Sequence, residues 1–158
     1  MAALDDKQAQ VVDGIIAGHA GVPGPLLPIL HAVQDSLGYI PAEAVARIAE
    51  GLNLSRADVH GVVSFYHHFR HHPPGRHVVQ VCRAEACQAM QCEKTEDHAK
   101  QSLGVEYGGT SADGSFTLEA AYCLGNCAAA PSVMVGEKLY GRVTPERLDQ
   151  VLADWRQR

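Results

Sequence analysis

Apolar positions in the first seventy residues recur at spacings of three and four, the period of helices with one buried face. Asp5 or Asp6 can cap a first helix carrying Val11, Val12, Ile15 and Ile16, which ends in the Gly18–Gly24 loop. A second helix begins near Pro25, places Leu26, Ile29, Leu30, Val33 and Leu37 on one face, and stops at Gly38. Pro41 suits the first position of a third, with Ala44, Val45, Ile48 and Ala49 inward and Gly51 as its end. Ser55 and Asp58 have the spacing of a capping box for a fourth, bearing Val59, Val62, Val63, Tyr66 and Phe69. Pro73-Pro74-Gly75 then breaks the helical pattern and marks a domain boundary: a helical domain over 1–72 and a second domain over 73–158.

Beyond the boundary the period changes. His77-Val78-Val79-Gln80-Val81 is a short β-branched run suited to a buried strand. Residues from about 85 to 103 read as one helix stopped by Gly104, and Phe116 to Ala120 alternate as a half-buried strand does. Ser132–Val135 and Lys138–Val143 flank Gly136-Glu137 as a hairpin. Thr144 caps a last helix with Pro145 at its first position and Leu148, Val151, Leu152 and Trp155 on its buried face. Strand, helix, strand, hairpin, helix describes an α/β domain on a small sheet.

Composition narrows the function. A chain of 158 residues suffices for one ordinary domain or two small ones. No apolar run approaches the roughly 18 residues that span a bilayer, and the polar start, with Asp5, Asp6 and Lys7, lacks the apolar core of a secretion signal. A net charge of −5, from 13 basic and 18 acidic residues, disfavours nucleic acid as a partner. Five cysteines in this setting point to a reducing, cytoplasmic compartment, where thiols serve metals or catalysis.

Cys82 ends the first strand of the second domain and Cys87 follows at the start of its helix; Cys123 ends the next strand and Cys127 follows in its loop. Neighbouring strand ends can bring the two pairs together. Gly125 and the alanines 128–130 let backbone approach the site, where amides can donate to sulfur. The Cys-x-x-Cys of thiol-exchange proteins is absent. Structural zinc and a [2Fe–2S] cluster both accept these spacings, and spacing alone leaves both open. Cys92 lies about 140° around a helix from Cys87 and continues into Thr95, Ala99 and Leu103, so it reads as a small buried hydrophobe, with spare ligand as its other reading. His67, His68, His71 and His72 have i,i+4 spacing, but no Cys, Asp or Glu completes a metal site, and they read as a partly charged helix end. No glycine-rich phosphate loop follows the first strand, so nothing here binds NAD or FMN on its own.

Gly38-Tyr39-Ile40-Pro41, then Val59-His60-Gly61-Val62-Val63-Ser64-Phe65-Tyr66, then Cys-x4-Cys and Cys-Leu-Gly-x-Cys followed by Ala-Pro, form an ordered set. Over roughly residues 10–156 it resembles the thioredoxin-like [2Fe–2S] subunit family, the E-type subunit of NADH-quinone oxidoreductase and its counterparts in related NAD-linked enzymes. The resemblance implies a helical N-terminal bundle followed by a thioredoxin-like α/β domain. It implies a [2Fe–2S] cofactor held by Cys82, Cys87, Cys123 and Cys127, in a non-catalytic redox subunit that exchanges electrons with a flavin- and NAD-binding partner. Within the family, Cys82-Arg83-Ala84-Glu85-Ala86-Cys87-Gln88-Ala89-Met90 and the extra Cys92 are most similar to the gamma subunit of NAD-dependent formate dehydrogenase. That similarity implies a molybdenum-containing catalytic subunit in the same complex, with the equivalent subunits of respiratory NADH-quinone oxidoreductase or NAD-reducing hydrogenase as alternatives. A zinc-stabilised adaptor is the alternative of another class.

Overall fold

The computed structural model describes residues 4–157; the first three residues and Arg158, the outer ends of the two expected domains, lie outside the described residues. The chain divides into two compact units, one running to Pro73 and the other starting at Pro74.

The first unit holds helices α1 (Asp6–Gly18), α2 (Leu26–Leu37), α3 (Ala42–Leu52) and α4 (Arg56–Phe65). Asp5 and Gln8 form a capping box at the start of α1, as Ser55 and Asp58 do at α4. The expected inward faces meet in a core of Val12, Ile29, Leu30, Val33, Ile40, Ala44, Ile48, Val59 and Val63, joined by Phe69. Two helix ends differ from expectation. Gly51 does not stop α3; a Cβ there would lie 2.7 Å from Ile16 Cγ2, so this glycine lets α1 approach closely. The stop falls to Asn53, left-handed at φ 53°. Helix α4 ends at Phe65, well before the prolines, because Gln34 supplies partners for a non-helical chain. Its Nε2 donates to the His68 carbonyl at 2.9 Å and its Oε1 accepts from the Arg70 amide at 2.7 Å, while Ile40 N–H donates to the Arg70 carbonyl at 2.8 Å. Tyr66 and the four histidines from 67 to 72 therefore lie beyond the helix, and the i,i+4 pairing of those histidines does not form.

The second unit is an α/β sandwich, the thioredoxin-like class expected. Strands β1 (His77–Cys82), β2 (Phe116–Ala121), β3 (Val133–Val135) and β4 (Lys138–Tyr140) form one sheet in the order β2-β1-β3-β4. β1 and β2 are parallel, with the helical crossover that parallel neighbours require, whereas β3 and β4 form an antiparallel hairpin beside β1. Val79, Val81, Phe116, Leu118, Val133 and Val135 share a core with Leu148, Val151 and Leu152 of the last helix, which spans Pro145–Arg156. Thr144 caps that helix by accepting from the Arg147 amide at 3.3 Å.

The expected helix over 85–103 is two helices, α5 (Glu85–Ala89) and α6 (Cys92–Leu103), separated by Gln91 at φ 60°; the last helix is then α7 (Pro145–Arg156). β2 also departs from alternation, since Phe116, Thr117 and Leu118 are all buried. The loop before it covers its free edge: Gly108 N–H donates to the Leu118 carbonyl, Leu118 N–H to the Gly109 carbonyl, and the Thr110 and Thr117 hydroxyls lie 2.7 Å apart.

Candidate metal centre

Parallel pairing of β1 and β2 makes both strands finish at the same edge of the sheet, with Cys82 opposite Ala121. Arg83 N–H donates to the Ala121 carbonyl at 2.7 Å, so the two exits stay tied after the ladder ends. Cys123 lies two residues past β2 rather than at its end. Its backbone turns sharply there, at φ 136°, a conformation rarely adopted by a residue with a Cβ and one typical of functional sites. Cys87 lies on the first turns of α5, and Cys127 opens a short 3-10 turn over Cys127–Ala129.

These positions yield two thiol pairs of different character. Cys82 and Cys87 are 3% and 2% exposed and share one buried cluster, whereas Cys123 and Cys127 are exposed. The outer sulfurs are 3.9 Å apart. Two thiolates on one tetrahedral metal, at about 2.3 Å from it, stand roughly 3.8 Å apart, so the outer pair already has the spacing of ligands to one ion. Gly125, at φ 72°, points its N–H at Cys123 Sγ from 3.4 Å, the amide-to-sulfur donation anticipated for this loop. Burial, with the neighbouring Cys82 thiol adding to it, pushes Cys87 up to about 11. The hydrogen bond with Cys123 raises Cys127. A metal must therefore displace protons here, and its positive charge supplies what burial denies to a bare thiolate. Among the described residues no three Cys, His, Asp or Glu side chains form a group able to hold a metal ion. The donor set comes as two pairs, which suits a cofactor with two metal atoms and four soft thiolates.

Cys92 is buried among Cys82, Cys87 and Ala130, 1% exposed. A 140° separation from Cys87 requires a continuous helix, and the break at Gln91 interrupts it. Cys92 packs against the inner thiols, and burial raises its thiol pKa. Cys92→Ala is expected to keep full cluster content with a loss of stability of about 1 kcal/mol, checked by iron analysis and denaturant titration.

Several supporting residues carry little signal in the sequence. Cys82 N–H donates to the Ser132 carbonyl at 3.0 Å, and Asn126 Nδ2 donates to Ser132 Oγ at 3.1 Å. A Cβ on Gly141 would lie 2.7 Å from Ala129 Cβ, 2.8 Å from its carbonyl oxygen and 2.8 Å from Asn126 Nδ2. Gly141→Ala must therefore push the Cys127 turn outward. Its expected cost is about 1–3 kcal/mol, together with faster loss of visible absorbance from the purified protein than in wild type.

A family model described as thioredoxin-like [2Fe-2S] ferredoxin matches residues 12–156. The chain belongs to that family. This ferredoxin's cofactor is accordingly a [2Fe–2S] cluster, and its role is electron transfer. It is 39% identical over 132 residues to the NADP-reducing hydrogenase subunit HndA of Solidesulfovibrio fructosivorans, covering 84% of this chain and 77% of that one. It is 37% identical over 123 residues to the E-type subunit of NADH-quinone oxidoreductase from Pseudomonas aeruginosa, covering 78% and 74%. The fold matches the crystal structure of an NAD+-reducing [NiFe]-hydrogenase in the H2-reduced state with a TM-score of 0.70 at 20% identity. That match spans 85% of this ferredoxin but 22% of the hydrogenase chain, and it speaks to the fold alone.

Proposed function

We propose that this ferredoxin holds its cluster through Cys82, Cys87, Cys123 and Cys127 and passes single electrons to or from a flavin-bearing partner subunit of an NAD-linked oxidoreductase. One observation carries the reading: two thiol pairs lie at the exits of adjacent parallel strands on one edge of the sheet, one pair buried and the other at the surface. The cluster, when bound, supplies storage for one electron. The chain does the rest. Cys82 and Cys87 form the inner wall with Cys92 and Ala130, which keeps water from that side. Cys123 and Cys127 present the outer side, flanked by Tyr122 and Met90, 73% and 58% exposed. Such uncovered apolar side chains beside exposed ligands suit the face that meets the flavin subunit.

The complex we assign is an NAD-dependent formate dehydrogenase in the cytoplasm, with a molybdenum-containing catalytic subunit. The support is the Cys82–Met90 loop together with Cys92. The two relatives above serve a hydrogenase and a quinone reductase, both consistent with the same electron-transfer role. Among the described residues no helix is long and apolar enough to cross a membrane. Gentle purification of the tagged chain from its own cells, followed by mass spectrometry and metal analysis, tests the assignment. Recovery of a flavin subunit with a molybdenum-containing, formate-oxidising subunit is expected. A nickel-iron subunit, or membrane subunits of a quinone reductase, would overturn it in favour of that complex.

A further inference from the structure

Helix α6 is polar along most of its length, yet beside the expected Cys92 it buries a charged side chain one turn on, Glu96. A buried carboxylate is costly unless it is paired. Glu96, 9% exposed at its side chain, accepts from Arg83 Nε at 2.9 Å, and Lys100 Nζ lies 3.7 Å from its other oxygen. Lys100 also pairs with Glu106 at 2.9 Å. The Tyr107 ring lies under both cations, 5.3 Å from Arg83 Cζ and 5.0 Å from Lys100 Nζ. Arg83 is no peripheral residue: it directly follows Cys82, and its N–H makes the bond to Ala121 that ties the two strand exits. Its carbonyl accepts from Gln88 Nε2 at 2.8 Å, which closes the Cys82–Cys87 loop on itself. Glu96 thus reaches from α6 and grips the residue that joins both halves of the thiol site.

We propose that Arg83 and Glu96 form a charge-balancing, positioning pair that sets how readily the site accepts an electron. The proposal rests on the reading of Cys82 and Cys87 as ligands. Reduction adds one negative charge at the thiolate site. A fixed cation beside it favours the reduced form, and a fixed anion opposes it. Arg83 is 39% exposed at its side chain, so solvent screens it more than it screens Glu96. A tether alone would be served by any hydrogen-bonding pair. A full ionic pair, one member buried, fixes two opposed charges at the residue next to Cys82 in the chain, with Lys100 as a third charge on the same carboxylate. Both residues act through the cysteines and are positioning residues.

Redox titration of the full, cluster-loaded chain, followed by visible absorption and electron paramagnetic resonance, reads the effect directly. Glu96→Gln leaves Arg83 uncompensated and is expected to raise the potential. Arg83→Gln leaves Glu96 with only the longer contact to Lys100 and is expected to lower it. Each shift should change the reduced-to-oxidised ratio at a fixed ambient potential by about three- to tenfold. The Arg83→Gln/Glu96→Gln double variant should return to within about twofold of wild type, and Arg83→Lys should fall between Arg83→Gln and wild type. Shifts of the same sign in both single variants, or none in either, overturn the proposal. Lys100→Gln carries the test if a single variant does not keep its cluster: it too must lower the potential, and no shift overturns the proposal. Cys82→Ser, measured alongside, keeps the two readings apart. An unchanged spectrum in Cys82→Ser removes the ligand reading, whereas full clusters with unshifted potentials in the pair variants remove only the present proposal.

Discussion

Cys123→Ala is expected to yield a protein that is nearly colourless and carries less than about a tenth of the wild-type iron and acid-labile sulfide, an effect far larger than that of Cys92→Ala. The contrast follows from position. Cys123 holds the strained turn after β2, stands 3.9 Å from Cys127 and accepts the Gly125 N–H, the geometry on which its proposed ligand role rests. Losing it removes a thiolate that no neighbouring Asp, Glu or His replaces among the described residues. Cys92 packs on the inner wall, and alanine there deletes one sulfur from a buried contact. Iron and sulfide assays on both variants, made anaerobically, check the ranking. Equal loss in the two would mean that Cys92 is a ligand.

Deleting residues 1–73 is expected to leave the cluster in place while weakening assembly with the flavin subunit by roughly tenfold or more, about 1.4 kcal/mol at the least. Residues from Pro74 onward form a compact unit with its own buried core, and all the cysteines lie in it. The helical unit has a separate core and exposes apolar side chains that its own fold leaves uncovered. Phe65 is 73% exposed, and a pocket of about 400 Å³ is lined by Leu26, Leu27, Leu54, Val62 and Tyr66. Patches of that kind mark contact surfaces. Cluster content and co-purification of the shortened chain give both answers. Full-strength assembly would show that the helices are not the anchor, and loss of the cluster would show that the division at Pro73-Pro74 cuts through one folding unit.

What could be read from the residues and what could not divides along physical lines. Capping chemistry is local, so Asp5, Ser55 and Thr144 announce α1, α4 and α7 in the sequence itself. The β-branched run before Cys82 likewise announces β1, and the spacing of the cysteines announces a metal site. The departures all come from contacts distant in sequence. Helix α4 stops early because Gln34 offers its amide to a backbone 34 and 36 residues away. Thr117 is buried because residues 108–111 fold over a sheet edge. Gly51 reads as a helix stop and Gly141 as part of a hairpin strand, yet each serves a close approach by Ile16 or by the Cys127 turn. Glu96 is hidden among the charges of α6 and is revealed only by what its carboxylate touches. The inequality of the two thiol pairs is equally illegible, since Cys-x4-Cys and Cys-x3-Cys patterns can each be buried or exposed depending on what packs over them.

On the proposed reading, the four paired cysteines hold a two-iron cluster that takes up single electrons. Metal and sulfide analysis of the anaerobically purified chain, with electron paramagnetic resonance before and after dithionite, tests it most directly. The expected result is about two iron and two sulfide per chain, silent as isolated and giving a spin-half signal on reduction. About one zinc per chain, without sulfide and without a signal, would contradict it.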